Sequence, residues 1–236
     1  MSQNNWHILP QPTEKTVRQL TTKLNIDPLT ATVVAQKGFI TPEAAYQYLQ
    51  PSIDQLHDPM LLHDMDKAFE RLTEAAFGGE KIVVYGDYDL DGMTSTAVMV
   101  EALEVLGADV TAYIPNRFKD GYGPNIDVYK RLIAEGAQII VTVDNGVSGH
   151  EAVAYAMSQG VDVIITDHHE MPPTLPEAYA IVHPRHPDGH YPFDDLSGVG
   201  VAFKVAQALL TDGQSITDKS ELPTEMLDLV ALGEIA

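Results

Sequence analysis

From residue 80 onward, short apolar runs alternate with helix-patterned stretches, and this alternation limits the possible folds more than any other feature of the chain. KIVVYG, DVTAYI, QIIVTV, VDVIIT and YAIVH are rich in β-branched and aromatic residues. Helix-like spacing separates the first four, over Met93 to Leu106, Asn125 to Ala134 and His150 to Gln159. Such repetition predicts βαβ crossovers, and so an α/β fold with a mostly parallel sheet and helices on both faces. The runs are nearly unbroken apolar, as strands covered on both sides require.

The preceding part reads differently. From Val17 to about Leu72 the apolar spacing is helical throughout, in TVRQLTTKLNI, PLTATVVAQKG and TPEAAYQYLQ, with Gly38, Pro42 and Pro51 as punctuation. Thr41-Pro42 predicts an N-cap followed by proline at the first helical position. The expected organisation is a small helical module over residues 1–75 and an α/β domain over 76–236. No apolar run approaches the roughly 18 residues that span a bilayer, and the N-terminus lacks the basic start and apolar core of a signal peptide. With no cysteine in the chain, disulfides and thiolate metal sites are excluded. A cytoplasmic protein without a membrane partner is expected.

Acidic residues gather at the strand ends. Asp87, Asp89 and Asp91 follow KIVVYG, Asp144 follows QIIVTV, and Asp167, His168 and His169 follow VDVIIT. In an open parallel sheet these ends share one rim, where ligands bind. Carboxylates at such density repel one another unless a positive charge lies between them. Oxygen donors with one or two imidazoles suit Mn²⁺ or Mg²⁺. So many carboxylates predict two ions, roughly 3.5–4 Å apart, with one carboxylate bridging; Asp144, alone after its strand, is the natural bridge. Thirty-four acidic against 14 basic residues give a net charge of −20, which by itself argues against a partner that carries phosphates. Paired cations would reverse the local sign. The DYDLDG stretch also starts like an EF-hand loop, but Val98 stands where that loop needs a bidentate glutamate, and a strand precedes it.

GDYDLDGMTS, VTVDNG and ITDHH, in this order and at strand ends, resemble the first three motifs of the DHH phosphoesterase superfamily. IPNRFKDGYG, LSGVGVAFKVAQAL and LDLVALGEIA further resemble the RecJ family of single-strand-specific 5′→3′ exonucleases. The resemblance implies Asp89, Asp91, Asp144, His168 and Asp228 as metal ligands, with Asp87 as a further ligand or close neighbour. Asp228 on its own reads only as a helix N-terminal carboxylate. The resemblance also places Asp167 behind His168, orienting its imidazole, and His169 facing the scissile phosphate, so that His169 and Asp144 carry the catalysis. The related family II pyrophosphatases have a histidine four residues before the Asp89 position. Tyr85 stands there in this chain, which favours the nuclease branch.

Arg117 is the strongest candidate for a cation gripping phosphate, against the plain reading of a solvated loop arginine. Gly198 and Gly200 could let backbone N–H groups approach a phosphate, or could simply open a helix. His183, His186 and His190 have a spacing that would suit zinc but read as ordinary surface histidines. The implied reaction is phosphodiester hydrolysis by two Mn²⁺ or Mg²⁺ ions, degrading single-stranded DNA from the 5′ end in repair and recombination. A helicase and a single-strand-binding protein are the further partners implied. Two other readings stay open: a phosphoesterase for short oligonucleotides or small nucleotide phosphates, and a non-catalytic metal-binding or docking module. RecJ-like proteins continue past the last motif into a cleft-closing domain, so the chain is expected to be part of a longer protein.

Overall fold

The computed structural model describes residues 9–211, 213 and 223–235. The chain divides into two units, Met1–Leu56 and His57–Ala236. In the first, α1 (Glu14–Leu24), α2 (Pro28–Gln36) and α3 (Pro42–Leu49) each begin at a side-chain cap, Thr13, Asp27 and Thr41 respectively. Leu20, Ala31, Val34, Ala35 and Ala45 form its buried core.

The second unit holds a sheet in which every pairing is parallel, with strand order β2-β1-β3-β4-β5. The strands are β1 (Lys81–Tyr85), β2 (Asp109–Tyr113), β3 (Ile139–Val143), β4 (Asp162–Thr166) and β5 (Ala180–Val182). Helices α4 (Met65–Gly78), α5 (Leu90–Val105), α6 (Ile126–Ala134), α7 (His150–Ser158), α8 (Gly198–Leu210) and α9 (Leu227–Ile235) complete it. Side chains alternate across the strands. Val83, Tyr85, Ile140, Val163 and Ile165 pack with α6 and α7 on one face, and α5 and α8 cover the other. Among the described residues, no helix is long and apolar enough to cross a membrane.

Three expectations are corrected. The domain boundary falls at Leu56 and not near residue 75, because α4 buries Met65, Ala68, Leu72 and Ala75 in the second unit, against α8 and β5. Arg71 of α4 also pairs with Glu80 just before β1 and with Asp162 of β4, each at 2.7 Å. Strand β2 is not covered on both sides: as an edge strand it leaves Asp109, Thr111 and Ala112 exposed. Helix α5 starts at Leu90, three residues before Met93, because Asp89 caps it.

β1 lies between β2 and β3, so the chain leaves it toward one neighbour and later returns beside it on the other side. This change of direction opens a crevice at the carboxyl ends of β1 and β3, where the acidic segments lie.

Candidate metal centre

β1 delivers the first carboxylates. Gly86 has no room for a side chain, since a Cβ there would lie 2.0 Å from Thr96 Oγ1. Asp87 is 1 % exposed and accepts the Tyr88 N–H. Its burial, then the neighbouring Asp89, push its carboxyl above the usual range. Asp89 Oδ1 accepts the Gly92 N–H at 3.0 Å, which places Asp91 in the first turn of α5. Asp91 is in turn gripped by the start of α8: Gly198 N–H donates to Oδ2 at 2.8 Å and Val199 N–H to Oδ1 at 2.7 Å.

β3 delivers Asp144 in the left-handed region, at φ 60, a conformation aspartate tolerates better than most residues. It is 2 % exposed, and its Oδ1 is buried without a hydrogen-bond partner. His168 Nε2 comes within 3.1 Å of that oxygen without hydrogen-bond alignment, and within 3.6 Å of Asp91 Oδ2. Burial pushes the Asp144 carboxyl up to about 6, and the Asp144 carboxylate holds the His168 imidazole above its usual range. Next to it, Asn145 Nδ2 donates to the carbonyls of Gly86 and Val143 at 3.0 and 2.8 Å, tying the ends of β1 and β3 together.

β4 delivers Asp167, His168 and His169. Asp167 was expected to orient His168, but its carboxylate holds the other imidazole. Oδ1 lies 2.7 Å from His169 Nδ1 and accepts the N–H groups of His168 and His169, while Oδ2 accepts the Val147 N–H at 3.0 Å. The local turn explains this: a side chain reaching back over its own loop meets the residue two positions on. Burial alone would raise the Asp167 carboxyl, but His169 and these amides outweigh it and hold it low. An ionised Asp167 makes Nδ1 the protonated nitrogen of His169, so Nε2 accepts from the Tyr122 hydroxyl 2.9 Å away.

Two overlapping ligand groups result. Atoms of Asp87, Asp89 and Asp144 lie within 4.8 Å of one another, as do atoms of Asp144, His168 and His169. Asp144 belongs to both. These residues fit divalent cations. Burial raises the proton affinity of two carboxylates, the buried Asp144 Oδ1 has the His168 ring beside it but no aligned hydrogen bond, and the donors are oxygen and imidazole nitrogen.

Other expected site residues are placed differently. Asp228 is exposed in the first turn of α9 and accepts its neighbour's N–H, from Leu229 at 2.7 Å. The part of α9 that touches the centre is Gly233, where a Cβ would lie 3.1 Å from Asp91 Oδ1. Five residues apart, the two positions lie about 140° apart around the helix, so Asp228 is not brought to the ligand groups. Ala236, the last residue of that motif, lies outside the described residues. Gly198 and Gly200 do not offer free N–H groups: the first binds Asp91 and the second binds the Ser197 cap at 3.1 Å. Their small size serves instead, since a Cβ on Gly198 would meet Asp144 Oδ1 at 2.4 Å.

Arg117 is exposed, with its guanidinium 5.4 Å from the centre of the Tyr88 ring. His183 and His186 are buried rather than surface residues, and they form no ligand group with His190 among the described residues. His183 Nε2 donates to the His169 carbonyl at 2.9 Å, and His186 stacks on His63 at 3.7 Å. Sequence reasoning missed Tyr122 and Asn145. The only available signals were an aromatic between two loop glycines and an asparagine next to a strand-end aspartate.

Known proteins resemble this chain in sequence and in fold. The chain matches the DHH family, N-terminal domain, over residues 81–234. It is 45% identical over 235 residues to the single-stranded-DNA-specific exonuclease RecJ of Bacillus subtilis, covering 100% of this chain and 29% of that protein. Its identity to the Escherichia coli protein of the same name is 42% over 218 residues, covering 89% and 37% respectively. The chain therefore spans about a third of the length of these curated relatives. A crystal structure of Thermus thermophilus RecJ in complex with Mn²⁺ superposes with a TM-score of 0.76 at 32% identity, over 95% of this chain and 31% of that one. The Mg²⁺ complex from the same organism gives 0.63 at 29%, over 95% and 27%. A family match across most of its length, close sequence identity to the RecJ relatives and a common fold make this chain a member of the DHH family.

Proposed function

We propose that the chain is the catalytic part of a metal-dependent exonuclease that hydrolyses single-stranded DNA from its 5′ end. The observation that carries this reading is the double membership of Asp144, whose unsatisfied buried oxygen lies where two ligand groups overlap. Asp87 and Asp89 would hold one Mn²⁺ or Mg²⁺ ion and His168 the other, with Asp144 between them and Asp91 braced behind His168 by α8. Two such ions supply positive charge against a phosphodiester and bring the ionisation of water toward neutral pH.

The chain's own residues do the rest. Asp167 raises the proton affinity of His169, so that Nε2, once protonated and released from the Tyr122 hydroxyl, can donate to the charge that develops on phosphate oxygen. Arg117 on the rim supplies a fixed positive charge for the strand's backbone, which the net charge of −20 otherwise repels. Names and metals of the RecJ relatives support the substrate and the ions. The 5′ polarity, a role in repair, a cytoplasmic location, and a helicase and a single-strand-binding protein as partners belong to the same reading. The test is Asp144→Ala in the full-length protein, assayed for Mn²⁺-dependent release of 5′-terminal nucleotides from labelled single strands. Release should fall below detection. Turnover at the wild-type rate would remove the bridging ligand and the reading with it.

A further inference from the structure

Next to the metal centre, the loop over 116–121 is braced from within. Asn116 Oδ1 accepts the Phe118 N–H at 3.0 Å and the Lys119 N–H at 3.3 Å. Asp120 accepts the Asn116 N–H and the Tyr113 hydroxyl, both at 2.8 Å. A loop held in this way presents its tip in a set orientation, and at the tip Phe118 is 94 % exposed. A lone aromatic so fully in water gains nothing in the free protein and gains much from any flat apolar partner.

Neighbouring rings connect this tip to the chemistry. Arg117 lies 5.4 Å from the centre of the Tyr88 ring, Tyr88 meets Tyr122 edge-on at 6.5 Å, and the Tyr122 hydroxyl contacts His169. An exposed aromatic and a guanidinium on adjacent residues match the two parts of a nucleotide, a π face and a phosphate. Base–aromatic stacking tolerates any sequence, because every base has such a face. In a duplex those faces are already stacked on one another, so a protruding ring selects unpaired strands.

On the nuclease reading above, we infer that Phe118 is a positioning residue that stacks on a base of the bound strand and thereby selects unpaired DNA at the metal centre. Its partner is one nucleobase next to the phosphate held by Arg117, and Tyr88 fixes the direction of that arginine.

The test compares Phe118→Ala and Phe118→Trp with wild type in the full-length protein. Affinity is measured for a single-stranded oligonucleotide carrying 2-aminopurine and for the same oligonucleotide with abasic sites. Calcium is present at a concentration first shown to give no cleavage. Wild type should bind the base-bearing strand more tightly and quench the 2-aminopurine fluorescence. F118A should bind that strand about tenfold more weakly, should show no preference over the abasic strand, and should leave the fluorescence unquenched. F118W should restore preference and quenching, which a merely structural role would not do. If wild type prefers the base-bearing strand and cuts it with Mn²⁺ while F118A keeps the full preference, the stacking assignment is overturned and the nuclease reading stands. If wild type neither binds nor cuts single strands, the nuclease reading falls first and takes this inference with it.

Discussion

Asp167 Oδ1 lies 2.7 Å from His169 Nδ1, and the same oxygen accepts the backbone N–H groups of His168 and His169. One carboxylate therefore sets both the ring of His169 and the path of the loop that carries His168. Asp167→Asn keeps the shape but removes the charge that fixes the imidazole tautomer. Changing a group that orients a functional side chain typically costs about 10–100-fold in activity. The expected outcome is a fall of that size in kcat with little change in KM for the strand, read from steady-state kinetics in Mn²⁺. An Asp167→Asn protein with wild-type kcat would show that His169 needs no orientation.

Asp144 makes stability and activity oppose each other. Its folded pKa, pushed up to about 6 by burial, exceeds the roughly 3.9 of an unfolded aspartate. The folded state therefore holds a proton that the unfolded state has lost between these values, so metal-free stability falls as pH rises from about 4 to 6. Asp144→Asn removes this loss. In EDTA at pH 8 it should gain about 2 kcal/mol, or roughly 4–8 °C in Tm for a domain of this size. Added Mn²⁺ should raise Tm in wild type by mass action and leave the variant unmoved. Thermal melts at pH 5 and pH 8, with EDTA and with Mn²⁺, separate these effects. A variant that melts below wild type in EDTA at pH 8 would contradict the burial argument.

Strand order along the chain, the parallel sheet and the rim of acids were legible because each follows from local pattern. Apolar runs such as VDVIIT need cover on both faces, and the residues after them must emerge at one edge. What stayed hidden depends on how side chains point after the chain turns. No spacing rule says that Asp167 folds back to His169 or that Tyr122 reaches it from a loop 47 residues away. Asp228 misled because only the helical phase, fixed by packing of α9 near Gly233, decides which residue faces the centre. The domain boundary was missed for a similar reason: α4 resembles the preceding helices in sequence, and only the burial of its apolar face assigns it to the sheet.

Gly198 lets α8 approach Asp144. A Cβ at this position would meet Asp144 Oδ1 at 2.4 Å and Asp144 Cβ at 2.6 Å, and the same residue's N–H holds Asp91. Gly198→Ala must therefore push the start of α8 away from Asp144 and disturb its grip on Asp91. The expected result is loss of Mn²⁺ binding by at least about 100-fold in calorimetry and destabilisation of about 1–3 kcal/mol from overpacking. Gly78→Ala is the matched control: it is the last residue of α4 and its nearest neighbour would be 3.7 Å away, so it should leave Mn²⁺ binding unchanged and stability unchanged or slightly raised. Undiminished Mn²⁺ binding in Gly198→Ala would mean that the helix start is more compliant than the contact distances allow.

His183 is the acid-sensitive counterpart of Asp144. Its Nε2 donates to the His169 carbonyl and its Nδ1 accepts the Arg185 N–H, so the neutral ring is fully satisfied and a second proton would face a donor. Burial lowers its pKa to about 4, against roughly 6.5 unfolded. Between these values the unfolded state binds the extra proton, so the stability contribution is complete above about 6.5 and is lost as pH falls toward 4. By linkage this amounts to on the order of 3 kcal/mol. From pH 4 to 6 it runs opposite to the contribution of Asp144, so each masks part of the other in the metal-free wild type. Asp144→Asn should therefore uncover a steep acid loss, and adding His183→Gln, which keeps a donor toward His169 but does not titrate, should flatten it again. Urea melts of wild type and both variants every half unit from pH 4 to 7 in EDTA test the pairing. A double variant as acid-sensitive as Asp144→Asn alone would assign the loss to other groups.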